Sequence, residues 1–151
     1  MNGTHIVQKE IKWDAAHRLV QNYPDKCKYV HGHQWISIVE LSLRPDRWLN
    51  HYGFVKDFNE FKPLKQWIDD NWDHGSLVSV DDESWIEWLK KEKQKYYLFN
   101  QNPTSELIAV ELYNKASLIL DDEFCFVSAI HILETCTSRS IYRPPTKILK
   151  D

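Results

Sequence analysis

The stretch His33–Leu43 (HQWISIVELSL) constrains the fold more than any other: it is long, rich in β-branched and aromatic residues, and alternates with a period of two. It predicts a strand. Ile6–Trp13 has the same character, so two strands open the fold. Between them, WDAAHRLVQNYPDKCKYVHG carries Asn22, Pro24, Asp25 and Gly32, turn chemistry around a cluster of Cys and His, and a functional loop is expected there.

Farther on, Asp57 and Glu60 form a capping pair, and Phe61, Leu64 and Ile68 share one helical face. Pro63 would remove a hydrogen bond from the interior of such a helix. The spacing therefore predicts one turn from Asp57 and a regular helix that starts near Pro63. Asn102 and Pro103 are a second start signal, followed by a stripe of Ala109, Leu112, Tyr113, Ala116, Ile119 and Leu120. In the segment 80–100, Ser84 and Glu87 read as a capping box ahead of a short amphipathic helix bearing Trp85, Ile86, Trp88 and Leu89. The alternating charges of that segment read as a solvated helix docked by its aromatic edge. Phe124–Thr135 predicts the last long strand, with Phe126, Ser128, Ile130, Ile132 and Glu134 on one face and Val127, Ala129, His131 and Leu133 on the other. A short return strand is expected near Ser140–Arg143. The order β, β, α, α, α, β, β is an α+β pattern with antiparallel pairing.

A chain of 151 residues, 42% of them hydrophobic, supplies one domain core and too little for two, so residues 1–151 are expected to form a single unit. With 19 Lys and Arg against 22 Asp and Glu there is no polybasic tract to follow a phosphate backbone, which argues against a nucleic-acid partner. The apolar runs are too short to span a bilayer and no export signal opens the chain; a cytoplasmic protein is expected. Cys27, Cys125 and Cys136 are odd in number and lack zinc-ribbon spacing, which suits a reducing compartment.

His31 and His33 flank one glycine at the mouth of a strand, where a period-2 backbone points both imidazoles to the same side. If the first two strands pair, His17 reaches the same point. Three neutral imidazoles suit zinc and leave a fourth position open to water or substrate, the catalytic arrangement. Cys27, four residues before His31, is either a fourth ligand that would close the site or a free thiol acting as base or nucleophile. Asp73 beside His74 reads as a helix-terminal cap or as a carboxylate that orients an imidazole. Glu134 ends an apolar strand face, where a carboxylate either meets a guanidine-like partner or reaches solvent. Cys125 and Cys136 read as packing residues, and His131 as a packed or exposed histidine with no assigned role.

The ordered segments WDAAH17RL, C27KYVH31GH33, VKD57FNEFK, WD73H74GSL, NPT104S105ELIA and E134TCTSRSIYR resemble the 6-pyruvoyl-tetrahydropterin synthase superfamily. Within it the chain is most similar to the carboxytetrahydropterin synthases, whose spacer between the cysteine and the H-x-H pair has the same length. The resemblance covers both ends and most of the middle, leaving the segment 80–100 as an insertion. It implies the tunnelling fold, a four-stranded antiparallel sheet with helices on one face, assembled as a trimeric barrel and stacked as a hexamer. It further implies zinc on His17, His31 and His33, Cys27 as catalytic thiol, Asp73 with His74 as proton-transfer pair, and a pterin triphosphate substrate anchored by Glu134 with help from Thr104 and Ser105. Lys26, Lys28, Arg139 and Arg143 are the cationic candidates for the triphosphate. Val78 stands where relatives carry asparagine. A 6-pyruvoyl-tetrahydropterin synthase and a non-catalytic zinc- or pterin-binding scaffold are the rival readings.

Overall fold

The computed structural model describes residues 3–145; residues 1–2 and 146–151 of the expected unit lie outside them. The strands β1 (Ile6–His17) and β2 (His31–Leu43) pair antiparallel along their whole length, from Ile6 opposite Ser42 to His17 opposite His31. After β2 the chain makes a 3-10 turn at Phe58–Phe61, capped by the Asp57 carboxylate, and enters helix α1 (Lys62–Asn71) with Pro63 in its first turn. The proline therefore sits where its missing N–H costs nothing, as its position in the sequence predicts. Strand β3 (Gly75–Ser79), helix α2 (Glu83–Lys91) and strand β4 (Tyr96–Phe99) follow. Helix α3 (Ser105–Leu120) then leads into strands β5 (Cys125–Thr135) and β6 (Ser138–Tyr142).

The α+β class holds, but the sheet differs from the four-stranded antiparallel one expected. It has six strands in the order β4-β3-β1-β2-β5-β6, and β3 runs parallel to both β1 and β4. Neither β3 nor β4 was expected. Both are short, and Leu77, Val78 and Ser79 are consecutively buried, so β3 lacks the alternation that betrays a one-sided strand.

The helices are also not confined to one face. Leu77 joins the main core with Leu64, Ile68 and Trp72 of the α1 region and Ile108, Leu112 and Ala116 of α3, over Trp13, Trp35, Val39 and Ile132. Its neighbour Val78 packs the other way, with Trp85 and Leu89 of α2 and with Ala16. Helix α2 thus covers the reverse face at the β3–β4 end. It starts at Glu83 with Asp82, rather than Ser84, as its N-cap, the carboxylate accepting from the Trp85 N–H.

The β2–β5 ladder is irregular at Ser128, where Glu40 pairs with Ala129 and Leu41 with Val127. That extra residue puts Cys125 and Val127 on the core face together with Ile130 and Ile132, and corrects the strict alternation expected for β5. No helix among the described residues is long and apolar enough to cross a membrane.

Candidate metal centre

The β1–β2 register builds the site. His17 and His31 are directly opposed and His33 faces Ala15 two positions along, so all three imidazoles project to the core face at the loop end of the hairpin. Their ring centroids are 4.6 to 5.1 Å apart, and one ligand nitrogen from each falls within 4.8 Å of the others. Trp35 closes the floor, edge-on to His17 and His33 at 5.0 and 5.1 Å.

Backbone carbonyls set two of the tautomers. A carbonyl can only accept, so the 2.8 Å contact of His17 Nδ1 with Pro103 O and the 2.7 Å contact of His31 Nδ1 with Tyr29 O place the proton on Nδ1 in both rings. The Nε2 lone pairs are left for a ligand. The Nε2 atoms of His17 and His33 are buried without a hydrogen-bond partner. Burial lowers the His17 pKa to about 4; the Pro103 carbonyl opposes the shift and the neighbouring His31 and His33 add to it. Burial likewise lowers His33, against the pull of Glu134. Burial thus favours the neutral form of His17 and His33, the state in which imidazole binds metal. Two buried ring nitrogens without partners in a three-histidine set fit a divalent ion such as zinc.

Glu134 leans into this space, its Oε1 3.4 Å from His17 Nε2 and 3.6 Å from His33 Nε2. The β5–β6 ladder passes over it, from Leu133–Arg139 to Thr135–Ser138, and this break aims the carboxylate at the histidines rather than into regular sheet. Cys27 does not join the three-histidine group. It is half-buried in the 3-10 turn Lys26–Lys28, and its carbonyl accepts from the Leu19 N–H at 2.8 Å.

Asp73 and His74 touch: the carboxylate lies 2.8 Å from His74 Nδ1, while its other oxygen accepts from the Asp14 N–H. Burial pushes the Asp73 carboxyl up, but the Asp14 N–H and His74 outweigh it and the net shift is downward. His74 adopts φ +57°, a left-handed conformation uncommon for a histidine, and its own N–H donates to Asp14 O. Its side chain is 78% exposed. It borders an open depression at the β1–β2 edge whose lining includes Asp14, Ala16, Gly32 and Gln34 and also His33 of the triad. The pair is formed, and neither residue joins the three-histidine group.

Thr104 caps α3 by accepting from the Leu107 N–H, and Ser105 donates to Glu106. The more telling member of that turn is Pro103, whose carbonyl orients His17; no side-chain pattern could have flagged it, nor the carbonyl of Tyr29. Among the cationic candidates, Arg143 is engaged by Glu40 at 2.9 Å on the reverse face, and Lys28 lies over the Tyr29 ring.

Comparison with known proteins agrees with this geometry. A family model described as 6-pyruvoyl tetrahydropterin synthase matches residues 6–145. A protein of Rickettsia conorii named 6-carboxy-5,6,7,8-tetrahydropterin synthase is 33% identical over 131 residues, covering 84% of this chain and 91% of its own length. Among solved structures, an uncharacterised protein of Wolinella succinogenes superposes with a TM-score of 0.80 at 21% identity, covering 94% of this chain and 99% of that one. The 6-pyruvoyl tetrahydropterin synthase of Caenorhabditis elegans does so with a TM-score of 0.65, also at 21% identity, covering 94% and 96%. Matched from β1 to beyond β6, and sharing the fold of these structures, the chain belongs to the 6-pyruvoyl tetrahydropterin synthase family.

Proposed function

We propose that the chain is a carbon-carbon lyase that converts 7,8-dihydroneopterin triphosphate and water to 6-carboxy-5,6,7,8-tetrahydropterin, acetaldehyde and triphosphate. The histidine triad carries the reading: three imidazoles converge, the Nε2 atoms of His17 and His33 are buried without partners, and the Nδ1 atoms of His17 and His31 are held by main-chain carbonyls. The relatives named for the carboxylated product supply the substrate class.

His17, His31 and His33 would hold zinc. Bound there, the ion supplies Lewis acidity toward hydroxyl and carbonyl oxygens of the substrate side chain and so acidifies the adjoining C–H. The Cys27 thiolate takes a proton from one face of that side chain. His74, its tautomer set by Asp73 on Nδ1, exchanges a proton through Nε2 on the other. With its imidazole exposed on this chain, the Asp73–His74 pair serves the triad of a neighbouring subunit in the expected trimer-based hexamer. Glu134 accepts the 2-amino and ring N3–H groups of the pterin, and Thr104 with Ser105 supports that pocket through the turn they begin.

The test is mass spectrometry of the products after zinc-loaded protein meets 7,8-dihydroneopterin triphosphate, beside a Cys27→Ala control. 6-Carboxytetrahydropterin and acetaldehyde, both lost in the control, support the lyase reading. Pyruvoyl-tetrahydropterin would replace it with simple triphosphate elimination, and unchanged substrate over a zinc-loaded protein would leave a non-catalytic scaffold.

A further inference from the structure

The residues after His17 are laced to the 79–103 segment by bonds that the chemistry above does not use. The Arg18 guanidinium meets the Asp82 carboxylate twice, Nε to Oδ2 at 2.6 Å and Nη2 to Oδ1 at 2.5 Å, and Nη2 also reaches Ser84 Oγ at 3.2 Å. It lies 5.5 Å from the Trp85 ring centroid. Asp82 is only 4% exposed and already fixed as the N-cap of α2, so the arginine docks on a rigid acceptor. Beyond it, Asn102 clamps both the N–H and the carbonyl of Val20, and Gln21 donates to Asp81. Gln21 and Asn22 hold left-handed φ values of 63° and 59°, a reversal that is uncommon for a glutamine and that asparagine tolerates better. The Leu19 N–H in turn bonds the carbonyl of Cys27. One short strap therefore connects a metal-facing histidine, the N-terminus of α2 and the thiol loop.

We propose that the Arg18–Asp82 pair is a positioning device through which the 79–103 segment holds Cys27 in register with the histidine triad. The inference rests on the proposed role of Cys27. Neither residue touches the triad; they act through the main-chain bond between Leu19 and Cys27. Without the ion pair the strap keeps only its weaker contacts and the thiol loses its fixed distance from the histidines. A displacement of about 1 Å at a reacting group costs up to about 100-fold in rate.

Asp82→Asn keeps a good helix cap but removes the charge, and Arg18→Lys keeps the charge but removes the two-pronged fork. On zinc-loaded full-length protein, Asp82→Asn is expected to lower kcat by about 10- to 100-fold while KM stays within about threefold, with zinc content retained. Arg18→Lys is expected to fall between it and the parent. Peptide-resolved alkylation with iodoacetamide should show Cys27 reacting at least about threefold faster in Asp82→Asn, and the exposed Cys136 unchanged. Parental kinetics and Cys27 alkylation in both folded variants would overturn the proposal, as would a fall in kcat with no change at Cys27. Should the parent protein turn over no pterin, the functional reading fails and the alkylation contrast alone decides the positioning role. If Asp82→Asn does not fold, Arg18→Lys carries the same measurements.

Discussion

The β1–β2 hairpin assembles a histidine and glutamate group on each of its faces, and the two have opposite hydrogen-bond accounts. On one face His17 opposes His31 beside His33 and Glu134; on the other Gln8 opposes Glu40, beside His131, Ser128 and Arg143. In the first group the Nε2 atoms of His17 and His33 are buried with no hydrogen-bond partner. In the second, the Glu40 carboxylate accepts from Gln8 at 2.9 Å, Ser128 at 3.0 Å and Arg143 at 2.9 Å, with His131 3.4 Å away. Only His131 Nδ1 is left over there. A saturated group of this kind holds three strands together, whereas buried ring nitrogens without partners are costly unless something binds them.

The sharpest way to break the comparison is to remove one ligand from the open group. His31→Ala is expected to lower zinc affinity by more than about 100-fold and to abolish turnover, since even outer partners of metal ligands are worth about 10- to 100-fold. Elemental analysis after dialysis checks it, and an unchanged zinc stoichiometry would remove the metal assignment. Next in size is the stabilisation by the metal itself. Zinc at about 100 times its dissociation constant should add about 2.7 kcal/mol, a rise in Tm of several degrees that EDTA reverses. Glu40→Gln should keep that rise and His31→Ala should lose it; the same response from both would mean that the metal does not distinguish the two faces.

The closed group should show itself in acid. Burial alone would push the Glu40 carboxyl up, but hydrogen bonds from Arg143, Gln8 and Ser128 outweigh it and hold it at about 2, below its ordinary 4.5. A depressed carboxyl contributes stability that is present in full above about pH 4.5 and is lost as pH falls from there through about 2. With allowance for the exposed Arg143 the contribution is about 2 kcal/mol. Urea unfolding between pH 6 and 2.5 should therefore fall less steeply in Glu40→Gln than in the parent, and parallel curves would show that Glu40 gains nothing from its partners.

Much of the open group was legible because it is written in spacing. A period-2 strand puts His31 and His33 on one side, and pairing of the first two strands brings in His17. The closed group was not legible. Glu40 sits in its strand as an outward charge, and its burial comes from long side chains on β1 and β5 and from Arg143 just past β6, which only the tertiary register supplies. The irregularity at Ser128 was hidden for a related reason, since no residue type encodes an unpaired position in a ladder. Helix α2 carried a serine-glutamate cap signal, yet the Asp82 cap prevailed because Asp82 also meets Arg18. Likewise β3 and β4 are too short to announce themselves without the strands and helix that bury them.

The smallest expected effect separates the faces most finely. Gln8 is solvent-exposed and gives Glu40 one of its donors, so Gln8→Ala removes a single neutral-to-charged hydrogen bond while Arg143 and Ser128 remain. The cost should be about 1 kcal/mol, less than for Glu40→Gln, because the carboxylate keeps other partners and the vacated position is open to water. The remaining donors still hold the carboxyl down, so the acid limb of the unfolding curve should move up in pH only part of the way toward the ordinary glutamate value. Zinc content and turnover should not change, since Gln8 lies nine residues up the strand from His17 and on the other face. Chemical denaturation and zinc analysis on one preparation measure both sides at once. A variant that lost metal as well as stability would show that the two groups are coupled through the hairpin, and that the contrast between them is one of hydrogen bonding alone and not of independence.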